Sequence, residues 1–439
     1  MKIRSLWLLV LIFGCQFIRA QQTKPLTLQE AVNIALENSD EAKIADSKVT
    51  TAASELSVIK NNQYPDASIS GQYLYLTEPN INLKFSQGTS EEEAGTESGT
   101  AFPDVNQMGF VMGTVQMPLF SGFKLHNMVK AGESNYEAEV LNAKNDKEAI
   151  ALRTITGYIN LYKANRMVEL IEENLKSAKQ RVTDFTNMEE NGLLARNDRL
   201  KAELQESNIQ ISLEEAKKNQ YMINYQLVTL LKLPAGTVVE INDSTFGIAE
   251  ENPATEITRY DLEAMAQQQK AAMNQIKVAQ SAYYPTLFFS GGYVGANVKN
   301  ALTISNAFNV GLGVSYNLSD IFKAKSDIRA AKSKAETLQY SIELANDQVK
   351  VAVENAKRNY QLALKKLELY TKSEEQANEN YRIVKDKYDN GLVDTNDLLE
   401  ADVQRLQSKI DLANAKADIT KTYYELLNTE GQLTNNLNN

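Results

Sequence analysis

Two stretches of this chain are copies of one unit: ENGLLARNDRLKAELQ at Glu190–Gln205 and DNGLVDTNDLLEADVQ at Asp389–Gln404. They superpose at an offset of 199 residues, which pairs Asn191 with Asn390, Gly192 with Gly391 and Asp198 with Asp397. The same offset pairs Phe110–Lys124 with Asn309–Lys323, while Gln63–Tyr73 matches Tyr283–Tyr293 at an offset of 220. The chain therefore reads as two structural repeats, with 21 residues inserted between the strand-like segments of the first. Few folds accept a doubled unit in which short strands alternate with very long helices.

Proline placement defines the helices. Leu119–Leu233 holds proline only beyond its ends, and none follows Pro285. Within these stretches, long helices are expected over 122–191 and 321–390, each 70 residues and about 105 Å at the α-helical rise. Each ends at the duplicated Asn-Gly, where glycine can take the left-handed C-cap conformation. Every seventh residue from Ile328 to Val384 is apolar or alanine apart from Tyr370, a period that makes a left-handed coiled-coil seam. Shorter helices are expected over 27–63, opened by a Thr27–Glu30 capping box, and over 197–232, 255–283 and 396–438. Laid end to end in pairs, they match the long helices in length. The segment 233–254, with a strand at Thr237–Ile241, reads as an equatorial linker.

Four segments carry strand patterns. Phe308–Leu318 alternates strictly, with Phe308, Val310, Leu312, Val314, Tyr316 and Leu318 on one face and Asn309, Gly311, Gly313, Ser315 and Asn317 on the other. Its eleven residues suffice to cross a bilayer as a tilted strand. Ala67–Leu76, Phe110–Met117 and Thr286–Val294 complete the strand pairs 64–121 and 284–320, and Tyr64, Tyr283 and Tyr284 suit an interfacial belt. A sheet on a soluble core shows the same alternation; four matched strands favour a membrane. Four strands cannot close a membrane barrel, and an open edge in lipid leaves backbone groups unpaired, so several chains must share one barrel.

Composition agrees with export. Lys2 and Arg4 precede the apolar run Leu6–Phe13, and residues 1–20 read as a signal peptide cleaved after Ala20, which removes Cys15; lipidation at Cys15 is the alternative. The net charge of −10 argues against nucleic acid, and a single Cys15 and a single His126 supply neither a metal cluster nor a disulfide framework. No cofactor and no catalytic constellation is expected. Ser86–Thr100 is polar and acidic, as an external loop would be.

LTLQEAVNIALENS at Leu26–Ser39, the Tyr-Pro strand starts at 64–65 and 284–285, and the two NGL…D motifs occur in one order. In that ordered set the chain resembles the TolC-type outer-membrane efflux proteins. The resemblance covers essentially the whole mature chain, the repeats 21–232 and 255–439 with the linker between them. It implies a homotrimer in outer-membrane lipid, with a shared twelve-stranded barrel continuing into a periplasmic α-barrel. It also implies a passive channel-tunnel that receives its load from an inner-membrane transporter (RND, ABC or MFS type) through a periplasmic adaptor, in drug efflux or type I secretion. A periplasmic coiled-coil scaffold without a pore is the alternative.

The resemblance places the adaptor contact at Gly192, Leu193, Leu194, Gly391, Leu392 and Val393; C-cap packing of Leu193 and Leu392 is the competing and compatible role. Asp397 and Glu400, three apart on one helical face, would ring the tunnel entrance, where Asp397 could equally favour the helix dipole. Tyr388 and Asp198 correspond to a gating link. Val393 stands where the best-known pattern has a basic residue, so one link of that latch is missing.

Overall fold

The computed structural model describes residues 23–77, 105–241 and 258–437. The signal segment, most of the linker and the acidic insertion lie outside them. In chain order the elements are β1 (Thr23–Leu26), α1 (Leu28–Asn38), α2 (Asp40–Asn61), β2 (Asp66–Tyr75), β3 (Gln107–Phe120) and α3 (Lys124–Glu190). There follow α4 (Arg196–Leu230), β4 (Val238–Ile241), α5 (Tyr260–Gln280), β5 (Thr286–Val298), β6 (Leu302–Ser315), α6 (Leu318–Asp389), α7 (Thr395–Thr429) and α8 (Leu433–Leu437). Among the described residues, no helix is long and apolar enough to cross a membrane.

Several boundaries differ from expectation for local reasons. The helix expected over 27–63 breaks at Ser39, which is extended (φ −63°, ψ 148°). Its hydroxyl accepts from the Ala42 amide at 3.2 Å, so Ser39 ends α1 and caps α2. The last helix stops at Thr429 rather than running to 438. Gly431 takes φ +74°, and the Gln432 amide reaches back to the Leu427 carbonyl at 2.8 Å before α8 begins. Tyr316 and Leu318 leave the expected strand because Asn317 opens α6, its Oδ1 accepting from the Ser319 amide at 3.1 Å. α5 ends at Gln280, and residues 281–283 tighten to a 3-10 turn before the Tyr284-Pro285 step forces extended backbone.

The chain divides into two compact units. One comprises residues 51–138 and 266–340 and holds an antiparallel sheet of order β2-β3-β5-β6. Its register sets Ser68 opposite Thr114, Thr114 opposite Gly292, and Gly292 opposite Asn309. Side chains alternate across strands. One face therefore gathers Ser68, Ser70, Gln72, Thr114, Gln116, Ser290, Asn309 and Ser315. The other gathers Ile69, Tyr73, Val111, Val115, Phe289, Tyr293, Phe308, Val310, Leu312 and Val314. Pro118 has no amide hydrogen to donate, and it sits where β2 pairing has ended and the β3–β5 register shifts. Among the described residues, nothing pairs with the outer edges of β2 and β6.

The other unit comprises residues 23–50, 139–241, 258–265 and 341–437 as described. Its main core surrounds Tyr158, Ile155, Ile159, Leu161, Val32, Leu227 and Leu231. Each large side chain wholly buried there contributes on the order of 1.5–3 kcal/mol. β1 and β4 pair in parallel at the edge of this core, a pairing the sequence pattern did not suggest. Two polar contacts hold them in place. The buried Tyr158 hydroxyl donates to the Leu26 carbonyl at 2.7 Å. From α4, the Asn224 side chain donates to the Thr237 carbonyl at 2.8 Å and accepts from the Val239 amide at 2.9 Å.

Asn224→Ala strands both backbone groups at once. It should lower stability by roughly 1–3 kcal/mol, read as a reduced thermal midpoint in detergent, whereas Asn208→Ala on the exposed side of α4 should leave that midpoint in place.

Candidate functional site at the helix turns

The two duplicated turns close with one hydrogen-bond pattern. At the first, the Gly192 amide donates to the Glu189 carbonyl at 2.9 Å and the Leu193 amide to Met188 at 2.8 Å. At the second, Gly391 donates to Tyr388 at 2.9 Å and Leu392 to Lys387 at 2.9 Å. These are Schellman closures, which require the left-handed residue supplied by Gly192 (φ +71°) and Gly391 (φ +72°). The preceding asparagines add a bond each: Asn191 Nδ2 reaches the Asn187 carbonyl and Asn390 Nδ2 the Asp386 carbonyl, both at 2.7 Å. Each of these carbonyls also accepts the backbone amide of the same asparagine, at 3.2 and 3.3 Å, so the side chain adds a second bond that tightens the last turn.

The closures leave Leu193 and Leu392 unburied, at 74% and 73% exposure. C-cap packing therefore does not account for these two side chains within the chain. Leu194 does turn inward, onto a cluster of Phe185, Ala202 and Leu398. Val393 is half-buried.

Beyond the glycines the copies diverge. Asp394 caps α7 with a full capping box: its Oδ1 accepts from the Asn396 amide at 2.7 Å and the Asp397 amide at 3.2 Å, while Asp397 Oδ2 accepts from the Asp394 amide at 3.2 Å. Asp397 is thus held in place by the helix start, and both Asp397 and Glu400 face solvent. The N-cap of α4 is Ala195, which offers no side-chain hydrogen bond. Arg199 ties that turn together instead, reaching back to Glu189 and along the helix to Glu203. The hydrogen bonds it donates to both carboxylates, Glu189 first, hold its guanidinium above the ordinary arginine value.

Tyr388 stacks on Phe185 with ring centroids 5.7 Å apart. Its hydroxyl is buried without a hydrogen-bond partner among the described residues. Burial pushes the phenol up, and the neighbouring Asp198 carboxylate adds to the effect. The expected Tyr388–Asp198 hydrogen bond is absent, because stacking fixes the ring and Asp198 pairs with Lys201 at 3.3 Å.

The charge cluster of greatest consequence was not anticipated. Asp402, on α7, is buried with a side chain 3% exposed, and Arg181, on α3, is 8% exposed beside it. Arg181 Nη2 donates to Asp402 Oδ2 at 2.8 Å, Arg405 Nη2 to Oδ1 at 2.7 Å, and Asn174 Nδ2 to Oδ2 at 3.4 Å. The Arg405 guanidinium also stacks over the Tyr381 ring at 3.7 Å, joining α6 to the cluster. Burial alone would depress Arg181; Asp402 and then Tyr381 outweigh it and hold the group above its usual range. One sequence signal pointed here: Asp402 lies four residues after the buried Leu398, so an acid falls on the packed face of α7.

The family of outer membrane efflux proteins matches residues 77–231 and 255–432. This chain belongs to that family. An outer membrane efflux protein, BepC of Brucella suis, is 23% identical over 365 residues, covering 80% of this chain and 76% of its own. The outer membrane protein VceC of Vibrio cholerae superposes with a TM-score of 0.77 at 15% identity, covering 92% of this chain and 96% of VceC. The CmeC outer membrane channel of Campylobacter jejuni gives 0.75 at 17% identity over 92% and 86%. The efflux protein described here is a non-enzymatic, TolC-like transport protein of the outer membrane that extends into the periplasm.

Removing one member of the buried cluster should cost more than removing the pair. Asp402→Ala strands two arginines and should destabilise this efflux protein by roughly 3–5 kcal/mol, whereas Arg181→Met with Asp402→Leu should recover most of that loss. Thermal denaturation in detergent, read as a double-mutant cycle, checks both outcomes.

Proposed function

We propose that this outer membrane efflux protein is the passive exit duct of a tripartite efflux or type I secretion system. Three copies contribute four strands each to one twelve-stranded barrel, and their two-repeat helical portions form the periplasmic tunnel. The observation that carries the reading is the open sheet, with one apolar face and, among the described residues, two unpaired edges. In lipid each unpaired backbone group costs several kcal/mol, and only other chains can supply the missing partners. The helices support it too. α4 leaves Leu204 and Ile211 exposed seven apart and Tyr221 and Tyr225 exposed four apart, and α6 leaves the pairs Leu344/Val351 and Leu362/Leu369 exposed, each seven apart. Such rows suit seams against neighbouring copies.

At the turns, Leu193 and Leu392 are the contacts for a periplasmic adaptor, with Gly192, Gly391, Leu194 and Val393 shaping the surface beneath them. The adaptor links the duct to an inner-membrane transporter of RND, ABC or MFS type. Rigid turns presenting one exposed leucine each give a partner a defined apolar anchor at little entropic cost. Three copies of Asp397 and Glu400 at the tunnel entrance favour cations, and the capping box keeps Asp397 from swinging away. Tyr388 and Asp198 act in gating through packing and proximity rather than through a shared hydrogen bond.

Two outcomes test this. Val310→Lys on the apolar sheet face should cost about 2–4 kcal/mol at mid-membrane and abolish heat-modifiable oligomers in outer-membrane extracts, whereas Asn309→Lys one position away should assemble. Loss of both, or of neither, would count against the barrel. Leu193→Glu with Leu392→Glu should abolish site-directed crosslinking to the adaptor while conductance in planar bilayers persists.

A further inference from the structure

Across the four strands, among the described residues, Asp66 is the sole acidic or basic side chain, and it stands at the first position of β2. The rest of the non-lipid face is neutral, and its character changes along the strands. Nearest the helices, Phe288 lies across Gly313 so closely that a Cβ there would collide with its ring. Next comes a belt of hydroxyl, amide and glycine positions. Ser68 and Thr114 share a hydrogen bond of 2.8 Å, and Ser290, Gly292, Asn309 and Gly311 continue the belt by register. Farther from the helices, the same face of β3 presents Met112, Phe110 and Met108, opposite Ser70, Gln72 and Leu74 on β2 and Val294, Ala296 and Val298 on β5.

Membrane pores that discriminate by charge carry rings of acidic or basic side chains. This wall has none in its middle. It offers an uncharged wet belt followed by a soft apolar collar whose methionines adapt to irregular shapes. We infer that the wall accommodates uncharged amphiphilic solutes, with Met108, Phe110 and Met112 taking the apolar part and the Ser/Thr/Asn belt the polar part. Neutral amphiphiles fit because a bare ion gains no counter-charge here, and a fully apolar solute leaves the belt's hydroxyls and amides unsatisfied. The inference rests on the duct reading above, which turns this face toward the lumen.

Planar-bilayer recording of the purified oligomer separates the two claims. The probe is octyl glucoside, applied below the concentration that disturbs protein-free bilayers, with octyl sulfate as the charged comparison. The glucoside should reduce single-channel current at lower concentration than the sulfate. Phe110→Ser with Met112→Ser should raise the half-blocking glucoside concentration about tenfold or more while leaving the channel conducting in plain salt. Val111→Ser lies between them on the opposite face and should not change the block. An unaltered block in the double variant, equal weakening by Val111→Ser, or stronger block by the sulfate overturns the collar while the duct stands. A protein that never conducts overturns the duct itself.

Discussion

Unpaired backbone at the two outer edges of the sheet governs the rest of this protein. In water an exposed edge is tolerable, because solvent satisfies its amides and carbonyls. In hydrocarbon it is not, and the apolar row Phe308, Val310, Leu312 and Val314 suits hydrocarbon far better than water. Sheet and environment are reconciled when further strands meet β2 and β6. Pro118 fits the same constraint, since it lies where pairing on one side has already ended. On the proposed reading, self-association answers a requirement of hydrogen bonding rather than being added to a finished fold.

The helix turns solve a different problem, which is ending very long helices sharply and repeatably. Glycine supplies the left-handed residue and asparagine a side-chain donor, and the closures then hold Leu193 and Leu392 out in solvent. On the proposed reading, two leucines fixed at solvated turns are anchors for a partner. A few turns back, packing between helices shifts from apolar (Val168, Ile171, Leu175, Ala178) to the ionic cluster around Asp402. A buried ion pair adds little net stability, but it tolerates only one alignment of α3 against α7.

Much of the architecture was legible because it is written in local chemistry. Strict alternation marked β6, missing proline and the terminal Asn-Gly marked α3 and α6, and Thr27 with Glu30 marked the start of α1. Local signals also existed for the breaks at Ser39 and Gly431, but they were outweighed by the continuous helical period around them. The parallel pairing of β1 with β4 had no such signal. Its partners are far apart in sequence, and four-residue strands show no period to read.

The sequence alone determined the kinds of the main elements, the extent of the two long helices, the duplicated turn chemistry and a sheet too narrow to close by itself. These follow from backbone sterics and from side-chain periodicity, which act within a few residues of one another. Tertiary structure decided which ionisable groups meet. It stacked Tyr388 on Phe185 with no hydrogen bond to the nearby Asp198, and it buried Asp402 against Arg181 of α3. Such choices depend on distances between helices, and no spacing along the chain encodes them.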